Sequence, residues 1–404
     1  MHPTQPYADR AAATAAFAEH VNRGKVIAFD ALGLDIVMGE REGPWFADAY
    51  SGARYWNCHC NGGVFNLGHR NPTVVQAVRD GLDGLDIGNH HFVSGYRARV
   101  AERLAASTGG RLSGVVFGVS GGEAVDLAIK VARGHTGRLG VISAVGGYHG
   151  HTGLAMAAGE PSYREPFGPN PPEFVQVPYN DLDAMGAAID DTTACVLLEA
   201  IPATLGFPLP EPGYLAGVQA LCRDRGALLA IDEVQTGLGR TGTVWYHEQE
   251  GVEPDLVVTG KGLSGGVFPI TATLMTPEVH GFFDEHPFVH ISTFGGAELG
   301  CVAAGAVLDI VTEPAFLDRV EALGQRFEAG FEGAPFAVRR RGLVMGLVLP
   351  EEGGALFATA ALIRAGVFAI FANHDTSVLQ FMPPLVLTDA EADEIIAAVR
   401  GALG

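Results

Sequence analysis

Lysine is almost missing from this chain. Of 26 basic residues in 404, only Lys25, Lys130 and Lys261 are lysines. Chemistry that needs a side-chain amine therefore has three candidates. Basic charge as a whole is scarce too, 26 Lys and Arg against 46 Asp and Glu for a formal charge of −20. That excludes nucleic acid and anionic membrane surfaces as partners, because both are bound through a basic footprint. Cysteines number five, at 58, 60, 195, 222 and 301, with no C-x-x-C spacing. An odd, unpatterned set reads as reduced thiols. No apolar run approaches a membrane span, and the opening MHPTQPYADRAAATAAFAEHVNRGK lacks a basic segment followed by an apolar one. The expectation is a cytoplasmic protein.

What is present is ample material for a core, since 48% of residues are apolar and 18% charged. At this length a large and a small lobe are expected. The first 25 residues predict an Ala-rich amphipathic helix. Asp35 to Tyr55 carries short strand-like pieces, DIVMG, PWFAD and RYWN, between Gly and charged turns. From about residue 70, helical segments alternate with the apolar runs GVVFG, LGVISA, ACVLLEA, GALLAID, DLVVTG and ITATLM. Such runs read as buried parallel strands, and the alternation as a doubly wound α/β sheet. Beyond Thr293 come two helices, two strands (GLVMGLVL, VLQFMPP) and a last helix, for which Thr388 and Glu391 form a capping box. The expected division is a small-domain segment at 1–69, a large domain at 70–312, and the rest of the small domain at 313–404.

Ligands of open α/β sheets sit at the carboxyl ends of the strands. After GVVFG comes Ser120-Gly121-Gly122, and after LGVISA come Tyr148 and His149. Glu199 ends ACVLLEA, Asp232-Glu233-Val234-Gln235 follows GALLAI, and Lys261 follows DLVVTG. Gly118 to Gly122 also satisfies G-x-S-x-G, the nucleophile elbow of serine hydrolases. That reading needs an acid and then a histidine later in the chain. His374 is the best on offer, there is no H-G-G-G segment, and Lys261 and Asp232 are left unused.

An aldehyde-bearing cofactor uses all of these groups. Its Schiff base needs a lysine, and its pyridine nitrogen needs a carboxylate that keeps it protonated. Its phosphate needs N–H groups at a helix start, which Gly121, Gly122 and Glu123 can present, with Ser120 as a hydrogen-bond donor. Cys58-His59-Cys60 and His149-Gly150-His151 have the look of metal clusters but lack a partner pair at ligand spacing. The cysteine segment is expected to face the substrate pocket or a dimer interface instead.

AIDEVQTGLGRTG, PDLVVTGKGLSGG and STFGGAELGCVAA resemble the class III (ω-amino-acid-type) aminotransferases of the fold-type I pyridoxal 5'-phosphate (PLP) enzymes. So do SGGEAVDLAIKVAR, GGYHGHTG, NLGHRNPTVVQAV and PPLVLTDAEADEI, in the right order over roughly residues 35 to 400. The resemblance implies that Lys261 forms the Schiff base with PLP and then shuttles the proton between Cα and C4′. Asp232 would hold the pyridinium nitrogen and Gln235 the phenolic oxygen. Val234 and Tyr148 would cover the two ring faces. Ser120, Gly121 and Gly122 would hold the phosphate, with Thr293 arriving from the second subunit of a homodimer that shares its sites. Glu199 stays open between a cofactor contact and hydrogen-bond support of the fold.

Two departures bear on substrate. Where many members have E-P-I-Q-G-E, this chain has EAIPATLGF, with Thr204 at the second glutamate, and Gln380 stands at the usual arginine of VLQFMPPL. Both halves of the carboxylate switch are replaced, which puts a glutamate/2-oxoglutarate half-reaction in doubt. The implied activity is transfer of an amino group from an amine or amino acid donor to an oxo acceptor. The alternatives are a racemase or epimerase on the same fold, a PLP-binding protein without turnover, and the Ser120 hydrolase.

Overall fold

The computed structural model describes residues 5–404. After an opening helical stretch come three short strands, β1 (Met38–Glu42), β2 (Trp45–Asp48) and β3 (Arg54–Asn57). The central sheet follows with β4 (Gly114–Gly118), β5 (Gly140–Ala144), β6 (Phe174–Val177), β7 (Thr193–Glu199), β8 (Leu228–Asp232), β9 (Leu256–Thr259) and β10 (Thr271–Met275). Its order is β4-β10-β9-β8-β7-β5-β6. β6, β5, β7, β8 and β9 are mutually parallel, whereas β10 runs antiparallel to both β4 and β9.

The late strands are β11 (Ala337–Arg341), β12 (Val344–Val348), β13 (Val367–Phe368), β14 (Ile370–Ala372) and β15 (Asp375–Phe381). Four of them form an antiparallel sheet in the order β11-β12-β15-β14. β13 instead joins the opening strands, pairing Val367 with Trp56 in parallel.

The central sheet is buried on both faces. β7 shows why its run is apolar throughout: Val196 and Leu198 enter one core cluster, Cys195 and Leu197 the other. Helix Gly121–Thr136 packs on the second face through Val125, Ala128, Ile129 and Ala132. A further core joins helices Pro314–Gly330 and Asp389–Leu403 to the late sheet through Leu323, Phe327, Phe381 and Ile395. Thr388 and Glu391 form the reciprocal capping box that their spacing predicted.

The structure corrects three expectations. ITATLM is an antiparallel strand, not a parallel one. FVQV at 174–177 and AVRRR at 337–341 are strands with no counterpart in the sequence reading. The opening helix begins at Arg10, continues through a π turn at Ala18–Asn22, and ends at Ala31, with no buried residue anywhere along it. The expected Ala-rich helix is therefore present but starts later and runs further, with Ala13, Ala16, Ala18 and Val26 half-buried and Phe17, Val21 and Ile27 exposed; residues 1–4 of that expectation lie outside the described residues.

Candidate active site

Lys261 begins a 3₁₀ turn, Lys261–Ser264, directly after β9. Its φ is +41°, a region that a residue with a Cβ seldom occupies. The turn is held by Ser264 Oγ, which donates to Lys261 O at 2.7 Å. Lys261 Nζ donates to Gln235 Oε1 at 2.7 Å. Burial lowers the pKa of the amine, against the opposing pull of Asp232 and Glu199. The uncharged, nucleophilic form is thereby favoured.

The amine has a glycine roof. A Cβ on Gly62 would meet Lys261 Nζ at 3.2 Å, and Gly62 sits at φ +66°. Asn61 just before it also has a positive φ, +51°. The cysteine segment borders the site through His59, whose pKa is lowered to about 4 by burial and then by the charge of Lys261. Cys58 and Cys60 are fully buried, Cys58 in the core of the late sheet. It is backbone at Gly62, not sulfur, that reaches the site. Fully buried Arg240 braces this segment from behind. It donates to Asn66 Oδ1 (2.6 Å from Nη2), to Leu343 O and to Pro383 O.

Asp232 closes β8 and is 6% exposed. Its Oδ1 accepts from Val234 N–H at 3.0 Å, and its Oδ2 lies 2.9 Å from His149 Nδ1. The next residue, Glu233, points the other way, as strand alternation requires. Its carboxylate is saturated by the Tyr246 and His247 N–H groups, His247 Nδ1 and Thr236 Oγ1. Of two adjacent acids, only Asp232 remains available to a ligand.

Ser120 is the N-cap of helix Gly121–Thr136, its Oγ accepting from Glu123 N–H at 3.2 Å. A Cβ on Gly122 would fall 2.7 Å from Thr152 Oγ1, and one on Gly150 2.6 Å from Gly122 Cα. Glycine therefore lets one loop, at Gly150 to Thr152, close against a helix N-terminus, a place that attracts an anion. The hydrolase reading finds no support in the hydrogen bonding: Ser120 Oγ accepts from Glu123 N–H, and His374 Nε2 is engaged with Tyr163 Oη at 3.2 Å.

Ser120, Gly121, Gly122, Tyr148, Glu199, Asp232, Val234, Gln235 and Lys261 line one cavity of about 360 Å³. Thr293 is the exception among the predicted residues: it is exposed and does not line the cavity of its own chain. Glu199 accepts from Tyr148 N–H (2.8 Å) and Ala203 N–H (3.2 Å), so both of its oxygens hold backbone. Thr204 Oγ1 donates to Gly146 O at 2.7 Å. Gln380 lies on β15, opposite Gly346, alternating with core residues Leu379 and Phe381. No group of three or more His, Cys, Asp or Glu among the described residues is placed to hold a metal ion. Sequence reasoning missed His149 as Asp232's partner and Gly62 as the roof of Lys261. The first was adjacent to Tyr148 and set aside within H-G-H.

A buried amine, a carboxylate with free lone pairs and a helix-start cradle share one cavity at the carboxyl ends of parallel strands. Those residues fit PLP: an aldehyde against Lys261, a ring nitrogen against Asp232, a phosphate at Gly121 and Gly122. Architecture and site together define a fold-type I PLP enzyme. Residues 27–403 match the class-III aminotransferase family, and the chain belongs to it. A protein of Archaeoglobus fulgidus described as an uncharacterized aminotransferase is 50% identical over 394 residues, 96% of this chain and 93% of its own. The ornithine aminotransferase of Toxoplasma gondii ME49 superposes with a TM-score of 0.89 at 26% identity, covering 98% of this chain and 96% of that one. N-acetylornithine aminotransferase from Stenotrophomonas maltophilia K279a gives 0.79 at 27% identity, covering 93% and 98%. This chain is a PLP-dependent aminotransferase.

Proposed function

We propose that Lys261 is the amine that carries PLP, and that the enzyme transfers a terminal amino group to an oxo acceptor lacking a second, guanidinium-gripped carboxylate. One observation carries the substrate class: among the described residues, no arginine lines the cavity that holds Lys261 and Asp232. Thr204 and Gln380 stand where charged residues would form a carboxylate switch. Losing both is physically consistent, since a lone buried charge would be costly. The terminal amine is supported by relatives that are ornithine and N-acetylornithine aminotransferases.

PLP, when bound, supplies an electron sink for the carbon that bears the amine. Asp232 keeps the proton on its ring nitrogen, and Gln235 takes the phenolic oxygen. Val234 and Tyr148 enclose the ring. Ser120, Gly121 and Gly122 hold the phosphate. Lys261 Nζ takes the proton from the amine-bearing carbon, a role to which its lowered pKa suits it.

The working form is a cytoplasmic homodimer. Phe92, Val93, Phe288, Val289, Ile291 and Phe294 are all exposed, Val93 at 98%. The two segments border one cavity through His90, His91, Phe288 and Ile291, and Thr293 lies in the second segment, between the lining residues Ser292 and Gly295. An apolar patch of this kind supports burial against a second copy, which would bring Thr293 to the partner's phosphate site. The five free cysteines suit a reducing compartment.

Borohydride reduction of PLP-loaded protein, followed by peptide mass mapping, tests the lysine: a phosphopyridoxyl adduct on the Lys261 peptide supports the role, and folded, loaded protein without it removes the role. Absorbance changes across a panel of terminal amines, amino acids and oxo acids then test the substrate class. Faster conversion with glutamate and 2-oxoglutarate than with every monocarboxylate would overturn it.

A further inference from the structure

Asn57 and His69 stand at the two ends of the segment that roofs Lys261. Both are pinned to the turn between β1 and β2: Asn57 N–H donates to Pro44 O at 2.8 Å, and His69 exchanges backbone hydrogen bonds with Gly43. Between them, Cys60, Asn61, Gly62 and Gly63 run at φ +53°, +51°, +66° and +98°. Two of the four are not glycine, and residues with a Cβ keep such a conformation only where outside contacts impose it. A Cβ on Gly262, the residue after Lys261, would fall 2.7 Å from Asn66 Nδ2 and 3.3 Å from Gly63 O. The segment thus lies on the lysine turn itself, and loosening it at Cys60 uncovers one side of the amine.

The contact that imposes the turn is a side-chain relay. Asn57 Oδ1 accepts from Cys60 N–H at 2.8 Å, so Asn57 Nδ2 faces the other way and donates to His69 Nε2 at 2.9 Å. Nε2 is therefore the bare nitrogen, and the ring proton sits on Nδ1. That Nδ1 is buried without a partner, in a ring packed against Phe65 at 4.0 Å between centroids. Burial, and then the charge of Arg41, push the pKa of His69 down to about 4, which keeps the ring neutral and Nε2 an acceptor. For packing alone, an apolar side chain of the same shape would serve and leave no N–H unpaired. What the histidine adds is the acceptor that locks Asn57.

We infer that Asn57 and His69 are positioning residues for Lys261: the relay from His69 through Asn57 to Cys60 N–H holds the left-handed turn whose backbone keeps water from one side of the amine. The inference rests on the reading that Lys261 carries PLP. Asp232 and Glu199 face the amine from the strand ends, and His59 faces it from the start of the turn, kept neutral by its own burial. Asn57 and His69 are neutral too, so cutting the relay removes no charge and acts through water alone. Water beside Nζ stabilises the ammonium and returns its pKa toward the ordinary 10.5.

The test compares Asn57→Ala, His69→Leu and His69→Gln in the full chain. Pulsed acylation with acetic anhydride across pH, on protein stripped of cofactor, gives the titration midpoint of Lys261 by peptide mass mapping, with exposed Lys25 as internal reference. The PLP-loaded protein gives kcat and KM. Asn57→Ala and His69→Leu are expected to raise the midpoint by about half a pH unit or more and to lower kcat with little change in KM. His69→Gln, which brings a carboxamide oxygen to the place of Nε2, restores most of both. A merely structural pair would lower the melting temperature and leave the midpoint in place, so unmoved midpoints in folded variants overturn the inference. Equal shifts in His69→Leu and His69→Gln overturn it as well. Should His69→Leu not fold, Asn57→Ser replaces it: serine keeps an acceptor for Cys60 N–H but cannot reach His69, and an unmoved midpoint there removes the relay. A borohydride-fixed adduct on Lys261 with unmoved midpoints leaves the lysine reading standing and removes only the relay, whereas an adduct on another lysine removes both.

Discussion

Lys261 Nζ sits between the Gln235 carboxamide, 2.7 Å away, and the bare backbone of Gly62. Any Cβ on residue 62 would press on the amine at 3.2 Å. Gly62→Ala is expected to destabilise the fold by about 1 kcal/mol or more, because alanine does not tolerate φ +66°. It should also reduce PLP loading more than thermal stability alone explains. Melting curves and cofactor absorbance on the same samples separate the two effects. Full loading in the variant would remove Gly62 from the site.

Replacing the lysine itself is the sharper experiment. Lys261→Ala should abolish turnover and leave the fold intact, since the side chain's polar contact is with Gln235 alone. Wild-type-like rates would sink the proposed mechanism.

Capture of PLP by the apo-protein should depend on pH in a set direction. Burial lowers the pKa of Lys261 from its ordinary value of 10.5. The free amine therefore appears at lower pH than in an exposed lysine. Stopped-flow capture rates should rise with pH and level off with a midpoint below 10.5. A midpoint at or above that value would contradict the effect of burial.

Ser120→Ala removes the N-cap of helix Gly121–Thr136. The expected cost is about 1 kcal/mol of stability, with weaker PLP retention and activity recovered by added cofactor. Loss of all activity at full occupancy would instead favour a nucleophilic serine.

Gln380→Arg should improve turnover of dicarboxylate acceptors while lowering the melting temperature, since the position is 7% exposed and a guanidinium there lacks a partner. An unchanged acceptor preference would remove residue 380 from the substrate wall.

The strand-end residues were legible because chemistry there is bound to local pattern. Lys261 and Asp232 each follow a short apolar run, and β-sheet geometry sends such residues to one edge. The direction of β10 was legible in principle and overlooked. Between Thr259 and Thr271 there is room for the 3₁₀ turn but not for the crossover helix that a parallel return requires. β6 escaped because four residues, FVQV, with one of them exposed, carry too little pattern. His149 was beyond reach for a different reason. Its partner Asp232 lies far along the chain, and nothing in GGYHGHTG says which histidine turns inward.

The pairing of β3 with β13 joins Trp56 to Val367, so the earliest strands made wait for nearly the last. The central sheet needs nothing beyond Met275 to complete its hydrogen-bonded ladder. On a ribosome, that sheet can assemble while the opening strands remain without their final neighbour. The Gly62 roof is braced from both sides of that order, because Arg240 donates to Asn66 beside it and, separately, to Pro383 of the late-made part. The full set of acceptors around Arg240, Asn66, Leu343 and Pro383, is therefore complete only once the late sheet has been made.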